Sequence, residues 1–514
     1  MIEPTSLDRR TILKGSAMAV AASAYPAWAA QQLQLETVPV TINTRAITGH
    51  LPHIWEECVG SDRAAITLRE SWRSDLDRWK HEAGTKRVRF HGIFCDEMGV
   101  FAPSILNRAH VVPNFQRVDQ VYDGLLERGV SPFVELSFMP KQLASGGNGF
   151  FFYGMNISPP KSNDDWAAFV KVFVTHLIER YGINAVKDWP IEVWNEPNLS
   201  SFWSGTKQQY FDMYKATAVA IKSIDPRIQV GGPSTAQAEW IPEFAAYCAQ
   251  NNTPVDFFSS HVYSGDSQSR LFGKGVNVPQ NDVIPKTVAQ LRQQIDASAF
   301  KGKPLWMSEW SSDSPAMIAH ILTNCLGLCQ AMSPWALSEE FEELGVPDYI
   351  LKEGDGGWGM VTAGIAKPSF NTFKLMHALG NQRLATEGPA LASLRDGKVV
   401  AAMVWNLAET KQPSGIPGAS HVRTVKGDAK RFAVEFAGAR PGQRARIRYV
   451  DQVRGSPMPA WREMGSPQYP NPKQLEQLRH RADIQPPQLA SLDSHRRLTL
   501  TLPPEGVALI ELLT

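Results

Sequence analysis

From about residue 50 to residue 380, short apolar runs alternate with longer stretches in which apolar positions recur every three or four residues. The short runs, rich in β-branched and aromatic residues, read as strands: Trp55–Gly60, Lys86–His91, Pro132–Phe138, Trp189–Asn195, Ile228–Pro233, Phe257–Tyr263, Pro304–Glu309 and Gln330–Leu337. The longer stretches read as helices, among them Leu68–Ala83, Phe115–Arg128, Asp164–Tyr181, Lys207–Ile224, Pro285–Ala297, Pro315–Leu326 and Ser369–Leu379. Strand–helix alternation of this kind implies an α/β fold. Eight units favour a closed (β/α)8 TIM barrel over a doubly wound open sheet.

After Gly380 the period changes. Val399–Trp405, Arg431–Ala437, Arg444–Val450 and Leu498–Leu513 read as strands, Lys473–Arg481 as the one long helix, and the Pro-rich Gly455–Pro472 as a long loop. Leu33–Asn43 also alternates. The expected organisation is a targeting segment over 1–30, N-terminal strands over 31–48, a barrel over 49–384, and a β-sandwich over 385–514 that the N-terminal strands join.

The first thirty residues carry Arg9-Arg10, a small-residue apolar stretch from Gly15 to Tyr25, and Ala27-Trp28-Ala29 before Ala30. This is the pattern of a twin-arginine export signal, which implies a periplasmic or secreted protein. No later run reaches the roughly 18 apolar residues of a membrane span. Lys+Arg (52) and Asp+Glu (51) nearly cancel, so nothing favours nucleic acid or an anionic membrane surface. The five cysteines are scattered and odd in number, which is no disulfide framework. Cys325 and Cys329 have no second metal-ligating pair beside them, so no metal is expected. The 15 Trp suit a carbohydrate ligand and suit a large core equally well.

In a barrel of this type the chemistry sits where strands end and βα loops begin. Those positions hold Arg89-Phe90-His91-Gly92, Glu135-Leu136-Ser137-Phe138, Trp194-Asn195-Glu196-Pro197-Asn198, His261-Val262-Tyr263 and Ser308-Glu309-Trp310. Trp335, Glu339, Glu342 and Glu343 follow the last strand. Glu196 and Glu309 are thus two carboxylates at the ends of the fourth and seventh strands. Glycosidic cleavage needs such a pair, one protonating the leaving oxygen and the other attacking the anomeric carbon. Asn195 is placed to hydrogen-bond a sugar 2-hydroxyl, Phe138 and Trp335 to wall the ring, and Glu342 and Glu343 to accept from sugar hydroxyls. The Gly354–Gly359 run matches G-x-G-x-x-G but has neither the strand before it nor the helix after it that dinucleotide binding needs. H-E-x-x-H, Walker and G-x-S-x-G motifs are absent, and no cofactor is expected.

Trp194–Asn198 resembles the acid/base signature of the clan of (β/α)8 retaining glycosidases. Further stretches resemble glycoside hydrolase family 39, β-xylosidase type: Val88–Phe94, Phe133–Pro140, Asn198-Leu199 with Phe202-Trp203, Gly231–Pro233, Ser260–Tyr263, Phe341–Pro347, Trp461–Pro467 and Gly506–Ile510. The resemblance runs from about residue 50 to the end. It implies Glu196 as acid/base, Glu309 as nucleophile, and His91, Asn195, His261, Tyr263, Trp335, Glu342 and Glu343 around the sugar. The implied activity is exo-acting β-D-xylosidase action on xylooligosaccharides with retention of configuration.

The sequence departs from that pattern twice. Trp310-Ser311-Ser312-Asp313-Ser314-Pro315 is one residue shorter than usual after the nucleophile and lacks a Tyr. Asp355-Gly356-Gly357-Trp358-Gly359 replaces His-Gly-Gly-Phe-Gly. Both changes leave the chemistry intact and open the sugar to an arabinoside or galactoside. A non-catalytic carbohydrate-binding protein is a remote alternative, disfavoured because both carboxylates are present.

Overall fold

The structure, a computed structural model, describes residues 35–101, 112–147, 149, 151, 153–343, 345–353, 357–411 and 424–513. The twin-arginine segment, and the part of the N-terminal strand before residue 35, lie outside the described residues. Thr37–Thr514 is one compact unit.

The chain begins in β1 (Thr37–His50) and then enters eight strands: β2 (Val59–Arg63), β3 (Arg87–His91), β4 (Ser131–Leu136), β5 (Ile191–Val193), β6 (Val230–Thr235), β7 (Phe257–His261), β8 (Leu305–Trp310) and β9 (Ala331–Pro334). Each is parallel to the next in the order β2 to β9. The ring closes where Leu337 N–H donates to Gly60 O at 2.8 Å and Met332 N–H to Ile54 O at 3.0 Å. This is the (β/α)8 barrel. Its interior is layered. Cys58, Phe133, Phe257, Trp306 and Ala331 form an apolar plug at the strand starts, and Arg89, Glu135, Glu192 and Ser308 lie buried above it.

Helix ends follow local signals. Lys207–Ile224 starts on a capping box between Thr206 and Gln209. Asn163–Tyr181 starts on the Ser162 side chain and stops at Gly182. Two sequence expectations shift. Trp55 lies in a turn before β2, stacked on His53 at 4.6 Å, so the first strand starts at Val59. The stretch Gly455–Pro472 is not all loop: Met458–Glu463 is a short helix whose first turn takes Pro459.

The C-terminal region forms a nine-stranded, largely antiparallel sheet, the expected accessory sandwich. β1 sits inside it, antiparallel to Gln382–Glu387 and parallel to Lys430–Ala437. Val40, Ile42, Val404, Phe432, Val434 and Ile510 are among the residues of its own core. Leu391, Met403 and Leu509 point the other way, into the core shared with the barrel helices. All five cysteines are unpaired. Trp55, Trp72, Trp79, Trp166, Trp194 and Trp310 are fully buried, so much of the tryptophan content is core. No helix among the described residues is long and apolar enough to cross a membrane.

Candidate active site

The site is built around one buried guanidinium. In β3 the interior positions alternate as Arg87, Arg89 and His91, and Arg89 is fully buried. It faces Glu135 at 2.8 Å, Glu192 at 2.6 Å and Glu309 at 2.7 Å. A buried charge needs compensation of this kind. Arg89 Nη2 also donates to Asn195 Oδ1 at 3.0 Å. Because arginine only donates, Asn195 must present its oxygen there and its Nδ2 elsewhere. That Nδ2 is buried and has no hydrogen-bond partner among the described residues. An orphaned buried donor is costly, and a ligand hydroxyl would satisfy it.

Glu196 follows Asn195 on a backbone bent into the left-handed region at Trp194 (φ 72°) and Glu196 (φ 43°). Such non-glycine positions cost on the order of 1–3 kcal/mol each. They are held by Glu196 N–H donating to Ser234 O at 2.9 Å and by Trp194 Nε1–H donating to Phe202 O at 2.9 Å. The bend delivers Glu196 to Glu309. A carboxylate oxygen of each, and a ring nitrogen of His261, lie within 4.8 Å of one another. Two oxygens this close are consistent with the roughly 5–5.5 Å between the carboxyl groups of a double-displacement pair.

The two carboxyls are not equivalent. Burial raises both, and for Glu196 the charge of Glu309 adds to it, holding that carboxyl well above its ordinary range. For Glu309, burial is opposed by Arg89 and His91, so it is raised less. Tyr263 O–H also donates to Glu309 Oε2 at 2.9 Å. Glu309 is therefore the one that ionises first.

His261 is kept neutral by burial and by the charges of Arg89 and His91. Its Nε2 lies 3.4 Å from Arg89 Nη2 and must accept, so its proton is on Nδ1, which donates to Glu196 Oε1 at 2.9 Å. A proton on Glu196 is then left on Oε2. In His91, burial disfavours the charged ring, but Glu135 and Glu343 outweigh it and the ring stays protonated. Nδ1 donates to Glu135 Oε2 at 2.9 Å, and Nε2 lies 3.3 Å from Glu343 Oε1.

The remaining expected residues fall into two groups. Trp335 stacks beside His91 with ring centroids 4.8 Å apart, and Tyr263 packs on Trp358 at 5.4 Å. Phe138 is fully buried behind His91 and Trp194. Glu342 is held by Arg63 at 2.9 Å and Arg69 at 2.7 Å, and Glu339 by Lys367 at 2.7 Å. Sequence reasoning did not assign Arg89, Glu135 and Glu192. The signal was available, since charged residues stand on interior positions of otherwise apolar strands. Glu196, His261 and Glu309 converge as metal ligands would, but Arg89 already presents a cation to Glu309.

A cavity of about 220 Å³ adjoins the site, lined by Ser311, Ser312, Asp313 and Trp358 among others. Ser311–Asp313 of the first departure and Gly357–Gly359 of the second therefore line one cavity.

A (β/α)8 barrel with an unlike pair of buried carboxyls at its strand ends defines a glycosidase, a hydrolase of O-glycosyl bonds. The chain belongs to glycosyl hydrolases family 39, whose family model matches residues 38–492. It is 33% identical over 462 residues to a beta-xylosidase of Caldicellulosiruptor saccharolyticus, covering 85% of this chain and 90% of that one. It is 32% identical over 483 residues to a beta-xylosidase of Geobacillus stearothermophilus, covering 89% and 92%. The crystal structure of a monomeric beta-xylosidase from Caulobacter crescentus CB15 superposes with a TM-score of 0.81 at 33% identity, over 92% of this chain and 99% of that one.

Proposed function

We propose that the protein is an exo-acting, retaining β-D-xylosidase that releases xylose from the non-reducing ends of xylooligosaccharides. The observation that carries this is the unlike carboxyl pair: a protonated Glu196 within 4.8 Å of a Glu309 held by Arg89 and Tyr263. Glu196 Oε2 protonates the glycosidic oxygen as Glu309 attacks the anomeric carbon, forming a glycosyl-enzyme. Glu196, now ionised, takes a proton from water, which attacks the same carbon and releases the sugar with its configuration kept. Asn195 Nδ2 donates to the 2-hydroxyl, a contact that strengthens in the transition state. His91, Tyr263, Trp335 and Glu343 surround the ring, while Phe138 and Glu342 support that wall from behind. The names of the related enzymes support xylose as the sugar.

The cavity at Asp313 and Trp358 favours a second reading, the same mechanism acting on an arabinoside or galactoside. A panel of nitrophenyl glycosides, with the product anomer read by NMR early in the reaction, separates the two. Release from the β-xyloside as β-xylose is expected. Release only from another glycoside overturns the sugar, and an α-configured first product overturns the double displacement. Glu196→Ala should lose roughly 10²–10⁴-fold on poor leaving groups and recover with azide on an activated one, giving a β-configured adduct. The Arg9-Arg10 pattern supports export by the twin-arginine route. Periplasmic fractionation of the wild type against an Arg9→Lys/Arg10→Lys variant tests that.

A further inference from the structure

At the other end of the barrel, where the strands begin, three side chains from two distant segments converge. His53 and Glu56 lie in the turn leading into β2, and His377 ends the last barrel helix, Pro368–His377. Glu56 Oε1 is 2.5 Å from His53 Nδ1 and 2.8 Å from His377 Nδ1. One donor atom from each residue lies within 4.8 Å of the others.

The His53 ring is fixed in place. It stacks on Trp55 with an interplanar angle of 22°, and its Nε2 faces Gly380 O at 3.2 Å. It thus has an oxygen acceptor against each nitrogen, whereas a neutral imidazole has one proton to give. Either a second proton on the ring or a cation at the shared focus satisfies both. An N–H to a backbone carbonyl behind a nitrogen aimed at a shared focus is how metal-ligating histidines are oriented.

Gly84 clears the space. A Cβ there would stand 2.4 Å from His377 Nδ1 and 3.1 Å from Glu56 Cδ. Glu56 is buried, while the His377 side chain is 41% exposed and leaves a way in from solvent.

We propose that His53, Glu56 and His377 form a binding site for a divalent ion of the zinc type, two imidazoles and one carboxylate with water in the fourth position. Nitrogen donors select zinc-like ions over calcium or magnesium, and two histidines with a glutamate suit a tetrahedral ion. Metal–ligand bonds of about 2.0–2.2 Å ask the three donors to spread by less than about 1 Å. The ion ties the segment before the first barrel strand to the last barrel helix, across the seam where the ring closes. It has no part in the glycosidic chemistry at the opposite end.

The test uses the whole enzyme, stripped with a chelator and dialysed against zinc chloride or cobalt(II) chloride. The wild type should bind one more zinc ion per chain than His53→Ala or His377→Ala, and its Tm should rise with zinc where theirs do not. Glu196→Gln/Glu309→Gln should keep that ion, which separates it from the catalytic pair. Cobalt-loaded wild type should show the visible d–d bands of a four-coordinate ion, a readout that stands even where a variant fails to fold. Equal zinc uptake by wild type and His377→Ala, loss of the ion in Glu196→Gln/Glu309→Gln, or absence of the cobalt bands overturns the proposal.

Discussion

Glu196 and Glu309 are the same residue type within 4.8 Å of each other, and their neighbours alone give them different work. Glu309 has a guanidinium and a phenol on its two oxygens, whereas Glu196 has a single N–H from a neutral His261. The proton therefore belongs on Glu196. Burial is the larger cause of its raised pKa and the Glu309 charge the second. Glu309→Gln removes the second cause and keeps the first. The Glu196 pKa should fall in that variant yet stay above the ordinary carboxylate range. Carboxyl-carbon NMR titration of labelled Glu196 reads this directly, and an unchanged or higher value would contradict the assigned electrostatics. In the wild type the same proton sets the basic limb of kcat/KM, which should lie above the ordinary range of a glutamate.

At the scale of the element, β2 and the segment after β9 make contact without side-chain bulk between them. A Cβ on Gly60 would lie 2.4 Å from Trp335 Cε3 and 3.3 Å from Pro334 O. Both neighbours are fixed, since Trp335 is wedged between His91 and Phe341. Gly60→Ala should therefore destabilise by about 1–3 kcal/mol, as overpacking does. It should also raise KM by displacing the aromatic wall, measured by urea unfolding and by steady-state kinetics with the β-xyloside. An unchanged KM would mean that Trp335 does not touch the sugar.

Elements were legible where the local chemistry repeats. The Thr206 and Gln209 box and the Ser162 cap mark helix starts in the sequence, and the helix Lys207–Ile224 begins and ends where its periodicity does. Trp55 misled because an apolar residue buried in a turn looks, along the chain, like one buried in a strand. The carboxylates were legible as strand-end residues within a motif. The Arg89 hub was not assigned, because its partners Glu135, Glu192 and Glu309 come from three other strands and meet only when the barrel closes. That Glu342 is held by Arg63 and Arg69 is likewise invisible in an acidic pair read along the chain.

At the scale of the whole molecule, the barrel and the C-terminal sheet share their cores. Val399–Trp405 and Val507–Ile510 read as continuous apolar runs rather than alternating ones, and the structure shows why. Ala402, Val404, Ala508 and Ile510 face the sheet's own core, while Ala401, Met403, Val507 and Leu509 face the core that contains the barrel helices. A strand covered on both faces has no polar side to show. Polar contacts cross the same boundary: Asn371 Nδ2, in the last barrel helix, donates to Gly455 O at 2.9 Å and to Ala482 O at 2.7 Å. β1 adds a covalent link, since it lies between two strands of the sheet and runs straight into the barrel at Leu51. Neither part can lose the other without exposing a large apolar face. A chain ending at residue 384 should then fail to yield soluble, active barrel, even though every catalytic residue is retained. The full chain should unfold in one calorimetric transition whose van't Hoff and calorimetric enthalpies agree. Two resolved transitions, or an active truncated barrel, would show that the shared core is not what holds the molecule together.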